Sequence, residues 1–194
     1  MTLLIAFCAG AYVAGSVNVS IVLFQLLGKP DPRSRFSRNA GATNVRRQAG
    51  LSWAAVVLFL DMARAAAVAW ASLAFIRDPS LIPWIGLALI LGNRFPCFHG
   101  FKGGKGVANY LGFVLALNPA AALLSGAAWG MAHRASKIPF VASFAMTLIL
   151  TLGMMARFQW DSRAMAGTAA TAVLIFFFHK PNIEELIRKR GVFK

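Results

Sequence analysis

Uncharged apolar stretches alternate with short basic segments along the whole chain. A helix that crosses the roughly 30 Å hydrocarbon core of a bilayer needs about 20 residues, and shorter helices suffice inside a bundle. The stretches that fit are Thr2–Leu27, Leu51–Ile76, Leu81–Gly92, the two halves of Val107–Ala132, Ile138–Ala156 and Ala164–Phe178. We therefore predict an all-α integral membrane protein with seven transmembrane helices, some of them short, in a single polytopic domain over residues 1–194.

Two of these stretches need a closer look. Val107–Ala132 carries Asn118-Pro119 at its middle, where proline disfavours a continuous helix, so we predict two short helices. Thr2–Leu27 resembles a signal peptide in position only. It has no basic segment in front of it and is too long, so we predict a helix that stays in the protein.

The basic residues support this count of crossings. Of the 20 Lys and Arg residues, 16 fall in the predicted loops 28–50, 94–105 and 133–137 and in the tail 179–194. Seven crossings place all four segments on one face, which the positive-inside rule assigns to the cytoplasm. We therefore expect the N-terminus outside and the C-terminus in the cytoplasm.

Composition excludes several other classes of protein. Hydrophobic residues make up 58% and charged residues 13% of the chain, against about 45–50% and 25% in soluble proteins. A net charge of +14 would suggest nucleic acid in a soluble protein, but here it reflects orientation and attraction to anionic membrane lipids, so no nucleic-acid partner is expected. Cys8 and Cys97 make neither a disulfide framework nor a zinc spacing, and we predict no metal or cofactor.

The first cytoplasmic motif lies in loop 28–50, in the segment Ser37-Arg-Asn-Ala-Gly-Ala-Thr-Asn44, followed by Arg46-Arg47. Small residues allow close backbone approach, hydroxyl and amide groups donate hydrogen bonds, and guanidinium groups pair with phosphate oxygens. The alternative is an ordinary basic loop rich in turn-forming residues.

The second motif, Phe101-Lys-Gly-Gly-Lys-Gly-Val107, leads into a helix. Glycine-flanked amides at a helix N-terminus form an anion site, and two lysines add positive charge. It is not a Walker A motif, because Gly106 stands where Ser or Thr would hold magnesium. The alternative is a flexible basic turn.

The third motif is His179-Lys-Pro-Asn182 at the end of the last span, before an amphipathic segment Glu184–Arg190. His179 and Asn182 share one face if the helix continues, whereas Pro181 is also suited to open a new helix at the membrane surface. The alternative is a capping histidine followed by a basic tail.

Together these motifs resemble the bacterial acyl-phosphate-dependent glycerol-3-phosphate acyltransferase family over nearly the whole chain. The most specific matches are Gly41–Val45 and Phe101–Ala108, with Asp61 and His179-x-x-Asn182 in the same order. The resemblance implies a seven-helix enzyme of the bacterial inner membrane. It would transfer a fatty acyl group from acyl phosphate to glycerol 3-phosphate, giving lysophosphatidic acid in phospholipid synthesis.

The resemblance also implies roles for individual residues. The catalytic set would be Ser37, Lys105 and His179. The substrate-binding set would be Asn39, Thr43, Asn44, Arg47, Lys102, Gly103, Gly104, Gly106, Ser143 and Asn182. The first motif would contact one phosphate, while the lysines and the amides of the three glycines would serve the other phosphate or the acyl carbonyl.

The chain departs from the family pattern at several positions. Phe36 and Arg38 replace glycines in a loop suited to positive φ, and Asn93 replaces a histidine. Phe140 replaces a serine and Glu185 an arginine, and an acidic residue is missing after Gly191.

These departures leave other functions open. The main alternative is a catalytically silent paralogue, a lipid-binding or scaffold subunit with membrane-protein partners. His99 is a possible substitute for the missing imidazole, and Asp61 with Arg64 a possible transport pathway or a stabilising pair.

Overall fold

The computed structural model describes residues 1–190, and these are helical with no strand. The helices are α1 Thr2–Ser16, α2 Val19–Leu26, α3 Ala42–Ala49, α4 Leu51–Phe75, α5 Ile82–Arg94, α6 Val107–Leu117, α7 Pro119–Ser136, α8 Pro139–Arg157, α9 Ser162–Phe177 and α10 Lys180–Arg190. Short 3₁₀ turns occupy Pro32–Ser34 and Pro79–Leu81. The last part of the predicted tail, residues 191–194, lies outside the described residues.

The core of the bundle forms around α5 and α6. Helix α1 packs on α5, α4 on α6, α7 on α8, and α9 on both α5 and α8. Ile85, Leu89 and Phe113 are buried here, while large side chains such as Phe59 and Trp70 point outward. An apolar exterior around an apolar core is the pattern of a protein whose outside faces lipid.

Three helices are long and apolar enough to cross a membrane by length and composition: Thr2–Leu26, Leu51–Phe75 and Pro139–Arg157. The first of these contains a break, because Val17 is extended (φ −73°, ψ 90°) and Asn18 caps α2. The Asn18 side chain accepts hydrogen bonds from the Ser20 hydroxyl at 2.9 Å and from the Ile21 amide at 3.4 Å. The prediction of one continuous helix over Thr2–Leu27 was therefore wrong.

The predicted break at Asn118-Pro119 is confirmed. Helix α6 ends at Leu117, and the Asn118 side chain caps α7 by accepting a hydrogen bond from the Ala121 amide at 3.2 Å. The amide nitrogen of the same side chain donates to the Gly153 carbonyl at 2.9 Å, which fixes the elbow to α8.

The predicted loops and tail contain more helix than expected. Loop 28–50 includes α3, and α7 runs to Ser136, which leaves little of the predicted loop 133–137. Helix α10 begins at Lys180 with Pro181 in its first turn, so the second of the two geometries considered for this segment is the observed one. Helices α3 and α10 each bring part of a predicted motif to the same end of the bundle.

Candidate active site

A cavity of about 890 Å³ opens where α3, α4, the start of α6 and the α9–α10 junction meet. Eleven of the thirteen predicted site residues line it: Ser37, Asn39, Thr43, Asn44, Arg47, Gly104, Lys105, Gly106, Ser143, His179 and Asn182. The cavity therefore brings together three motifs that are far apart in the sequence.

Lys102 and Gly103 are the two predicted residues that do not line the cavity. The Lys102 side chain is exposed, and its carbonyl accepts a hydrogen bond from Arg33 Nη1 at 2.6 Å. The Gly103 amide donates to the Arg94 carbonyl at 3.0 Å, and an added Cβ would lie 2.8 Å from Pro96 Cδ. Both residues shape the loop rather than the surface of the cavity.

The glycine amides differ from expectation. The Gly104 amide donates to the Asn93 carbonyl at 3.0 Å, so this proton, like that of Gly103, is already used by the backbone. Gly106 caps α6 with φ 85°, and an added Cβ would lie 2.7 Å from Ile90 Cγ2. The amide groups available for an anion are therefore that of Gly106 and those in the first turn of α6, whose N-terminal N–H groups have no partner within the helix.

Lys105 joins the second motif to the third. Its Nζ donates a hydrogen bond to Asn182 Oδ1, which lies in α10. Burial, followed by the positive charges of Arg94 and Arg47, lowers the pKa of Lys105 to about 8. An anionic ligand would relieve both effects.

His179 lies buried at the end of α9, against the rings of Phe140 and Phe144 at 6.5 and 5.2 Å between centroids. Its Nδ1–H donates to the Ile175 carbonyl at 2.7 Å, since a carbonyl can only accept. Burial, with the charge of Lys105 next in size, lowers the pKa of His179 to about 4. The ring is therefore neutral near pH 7, with an unprotonated Nε2 as a hydrogen-bond acceptor.

Asn44 organises the first loop. It is buried, and its amide nitrogen donates to the carbonyls of Pro32, Asn39 and Arg35 at 2.7, 3.0 and 3.3 Å. Its donors are thus engaged within the protein, although it was predicted to bind substrate. Thr43, one residue earlier, lines the cavity from α3.

Sequence reasoning missed a clamp between the loop before α3 and the loop before α6. Arg33 pairs with Asp31 at 2.6 Å, and its Nη1 donates to the carbonyls of His99 and Lys102 at 2.7 and 2.6 Å. The two carbonyl partners lie 66 and 69 residues from Arg33 along the chain and leave no signal in the sequence.

Sequence reasoning also missed Trp129 and His133 on α7, which line the cavity, and it left Arg46 on α3, another lining residue, out of the predicted site set. Trp129 and His133 are one helical turn apart and stack with ring centroids 4.9 Å apart. Their i, i+4 spacing was the only available signal.

Residues 5–189 match the family of glycerol-3-phosphate acyltransferases. The chain belongs to this family. A glycerol-3-phosphate acyltransferase of Shewanella halifaxensis (strain HAW-EB4) is 38% identical over 186 residues, which cover 96% of this chain and 92% of the relative. One of Pseudomonas syringae pv. tomato is 37% identical over 181 residues, which cover 93% and 92%.

Two solved structures have the same fold. They are crystal structures of PlsY (YgiH), an integral membrane glycerol 3-phosphate acyltransferase. The glycerol 3-phosphate form has a TM-score of 0.87 at 33% identity, and the lysophosphatidic acid form 0.84 at 32%. Each match covers 96% of this chain and 93% of the other. These similarities identify an integral membrane protein of the acyltransferase family and give no support to a scaffold subunit.

The departures from the family pattern take defined places in the structure. Phe36 and Arg38, which replace glycines, both adopt left-handed backbone, with φ 53° and 51°. Non-glycine residues are uncommon there, so this loop keeps a glycine conformation without glycine. Phe36 lines the cavity and is 64% exposed.

Three further departures, Asn93, Phe140 and Glu185, also line the cavity, while the missing acidic residue after Gly191 falls outside the described residues. Asn93 is buried, and its amide nitrogen would lie 2.7 Å from a Cβ added at Gly104. The Glu185 carboxylate pairs with Lys189 at 2.6 Å. His99, considered as a substitute for the imidazole, does not line the cavity.

Proposed function

We propose that the chain transfers a fatty acyl group from acyl phosphate to a hydroxyl group of glycerol 3-phosphate, giving lysophosphatidic acid and inorganic phosphate. The main support for this function is the cavity in which Lys105, Asn182 and His179 meet the first loop beside an apolar wall. Both substrates carry phosphate and one carries a hydrocarbon chain, so a site at the lipid boundary has to hold two anions close together.

Positive charge in the cavity suits this task. Lys105 lines the cavity from the loop before α6, and Arg47 lines it from α3. The first turn of α6 adds the positive end of a helix dipole. A guanidinium group donates two parallel hydrogen bonds to a phosphate group, whereas an ammonium group acts as a point charge. We assign one phosphate to Ser37, Asn39, Thr43 and Arg47, and the other to Lys105 and the start of α6.

The chemistry follows from the polarity of the groups present. The hydroxyl oxygen of glycerol 3-phosphate attacks the acyl carbonyl carbon, a tetrahedral oxyanion forms beside Lys105, and the bond to the phosphate oxygen then breaks. Acyl phosphate is already activated, so the reaction needs neither a covalent nucleophile nor a metal. Positioning and charge stabilisation supply most of the rate.

The hydroxyl proton goes to the departing phosphate. His179 Nε2 accepts a hydrogen bond from the hydroxyl group and orients it, but a histidine whose pKa is lowered to about 4 does not keep a proton near pH 7. A phosphate group, with a second pKa of about 6, is the stronger base.

We further propose that seven segments cross the bacterial inner membrane, with the N-terminus outside and the cavity facing the cytoplasm. Of the 20 Lys and Arg residues, 16 belong to the loops and the tail from which the cavity end is built, as the positive-inside rule requires. In a variant without Cys8 and Cys97, single cysteines at Arg38, Lys102 and Lys189 should be shielded from an impermeant thiol reagent outside intact cells. One at Pro79 should react. Labelling at Lys102 from outside would overturn this topology.

The reaction itself is tested with purified protein in lipid, acyl phosphate and labelled glycerol 3-phosphate. Lysophosphatidic acid should form at a rate far above that of a Lys105→Ala variant. Folded wild-type protein that binds glycerol 3-phosphate but forms no product would refute the acyl transfer while leaving the binding site intact.

A further inference from the structure

A charged cluster inside the bundle joins three helical elements. Arg64, on α4, donates through Nη2 to Asp61 Oδ1 at 2.8 Å and to Asn109 Oδ1 at 2.7 Å. Its Nη1 donates to the Val17 carbonyl. The side chains of Arg64 and Asp61 are only 15% and 6% exposed. Ionisable groups within membrane helices are expensive and usually serve function, so this cluster needs an explanation beyond stability.

The Val17 carbonyl marks the break between α1 and α2, where the end of a helix leaves carbonyl groups without partners. The residues on either side of Val17 reach the two loops that border the cavity. The Ser16 hydroxyl accepts a hydrogen bond from the Cys97 amide at 3.3 Å, and the Asn18 amide group donates to the Ala40 carbonyl at 3.5 Å. Arg64 therefore fixes the element from which both loops are held.

The other acceptor, Asn109, is in the first turn of α6, four residues after Lys105. Fixing Asn109 fixes the start of α6, and with it the amides of that turn and the position of Lys105. Asn109 and Asp61 both line the cavity, whereas Arg64 does not. Arg64 therefore acts on the cavity through the residues that it holds and not by contact with a ligand.

We propose that Arg64 is a positioning residue, which sets the start of α6 and Lys105 relative to the first loop by joining Val17, Asp61 and Asn109. The inference rests on the proposed function. A guanidinium group presents a planar set of donors to several acceptors at once, whereas a lysine ammonium on its flexible stem does not hold the same three-way geometry.

The first test is Arg64→Lys, with Arg157→Lys as the matched control. Arg157 also donates to a backbone carbonyl, that of Leu117 at 3.2 Å, but at the other end of α6. A displacement of reacting groups by an ångström is worth about 10²-fold in rate. We expect kcat to fall about that much in Arg64→Lys, with KM and the melting temperature near wild type. The control should keep kcat.

Asn109→Ala gives a second variant that leaves the Asp61–Arg64 pair intact. Its effect on kcat should resemble that of Arg64→Lys, and the double variant should lose little more, because both act through the same contact. Independent, additive effects would overturn the proposal.

Hydrogen–deuterium exchange gives a readout that needs no turnover. Arg64→Lys should raise exchange in peptides covering residues 36–47 and 102–110, while Arg157→Lys should not. Faster exchange throughout the bundle with a lower melting temperature would show a merely structural role. If wild type forms no product, the proposed function fails while the exchange result still decides the role of Arg64.

Discussion

The two loops that border the cavity both contain left-handed backbone, but different residues adopt it. The loop before α6 has left-handed backbone at Gly100, Phe101 and Gly106, so glycine fills two of its three such positions. The loop before α3 begins with left-handed backbone at Gly28, but beside the cavity it has left-handed backbone at Phe36 and Arg38, where glycine fills neither position. The second arrangement is the costlier, because left-handed backbone costs a residue with a Cβ roughly 1–2 kcal/mol.

The difference shows that contacts from outside the first loop determine its shape. Asn44 holds three of its carbonyl groups, and the Asn18 amide group holds that of Ala40. The donating side chains, Asn44 and Asn18, are buried, and buried amide groups are costly to leave unpaired. Their hydrogen bonds outweigh the local preference of Phe36 and Arg38, so the first loop keeps its left-handed backbone without glycine at these two positions.

The substitution with the largest expected effect is Asn44→Ala, which tests whether hydrogen bonds from α3 hold the first loop in shape. It removes one donor from each of three carbonyl groups at once, and each of those hydrogen bonds contributes about 0.5–1.5 kcal/mol. We expect the first loop to lose its shape, with a loss of acyl transfer of about 10²-fold or more. Initial rates at saturating acyl phosphate would measure this.

The matched control is Gln48→Ala. Gln48, on the same helix α3, donates to one of the same carbonyls, that of Pro32 at 2.8 Å. Its loss leaves Pro32 still bonded to Asn44, so activity should stay near wild type. Equal losses in both variants would contradict the central role given to Asn44.

A second prediction uses pH to separate the two loops. The pKa of Lys105 is lowered to about 8, so its positive charge is present at pH 7 and is lost as the pH rises through 8. The second proton of a phosphate group is already lost near pH 6, so the ligand itself changes little. The Kd for glycerol 3-phosphate should rise above pH 8, by up to about tenfold per pH unit.

Lys105→Arg sharpens this test, because a guanidinium group keeps its charge in this range. Its Kd should be flat between pH 7 and 9.5, whatever its absolute value. A slope identical to wild type would assign the proton to another group, and calorimetric titration at several pH values would reveal it.

The sequence predicted the positions of the helices better than the breaks and contacts between them. The apolar stretches and the break at Pro119 follow from local physics, because each depends on residues a turn apart. The break at Asn18 also involves the distant Ala40 and, through the Val17 carbonyl, Arg64, and so was missed. The same limit applies to the site. Lys105, His179 and Asn182 follow from motif spacing, whereas the carbonyl acceptors of Asn44 depend on how the loop folds back.

The third prediction restores glycine to the first loop. Phe36→Gly and Arg38→Gly remove left-handed strain of about 1–2 kcal/mol each, against an entropic cost of roughly 0.5–1 kcal/mol. We expect stability to change by less than about 1 kcal/mol per site. Because Phe36 lines the cavity, its removal should also tighten binding of glycerol 3-phosphate modestly.

Arg38 provides the internal control, since it shares the backbone conformation but does not line the cavity. Arg38→Gly should match Phe36→Gly in stability and differ from it in affinity. If affinity rises equally in both, relief of strain rather than access for phosphate is the cause.

The smallest effect is expected in the other loop region, at Asn93. General acid–base catalysis is typically worth about 10²–10⁴-fold, so a histidine that the reaction needed would restore activity visibly in Asn93→His. We expect less than a tenfold change. An imidazole at this buried position would meet burial like that which lowers the pKa of His179, and would be a poorer base than the substrate phosphate. Asn93→Gln separates shape from chemistry, because it lengthens the side chain without adding a base.

A rise of 10²-fold in Asn93→His alone would show that the proton leaves through position 93 and that the phosphate route is wrong. Little change in either variant would mean that the side chain at position 93 takes no part in the chemistry. The departures at Phe36 and Arg38 would then concern the shape of the first loop, and the departure at Asn93 a group that the reaction does not use.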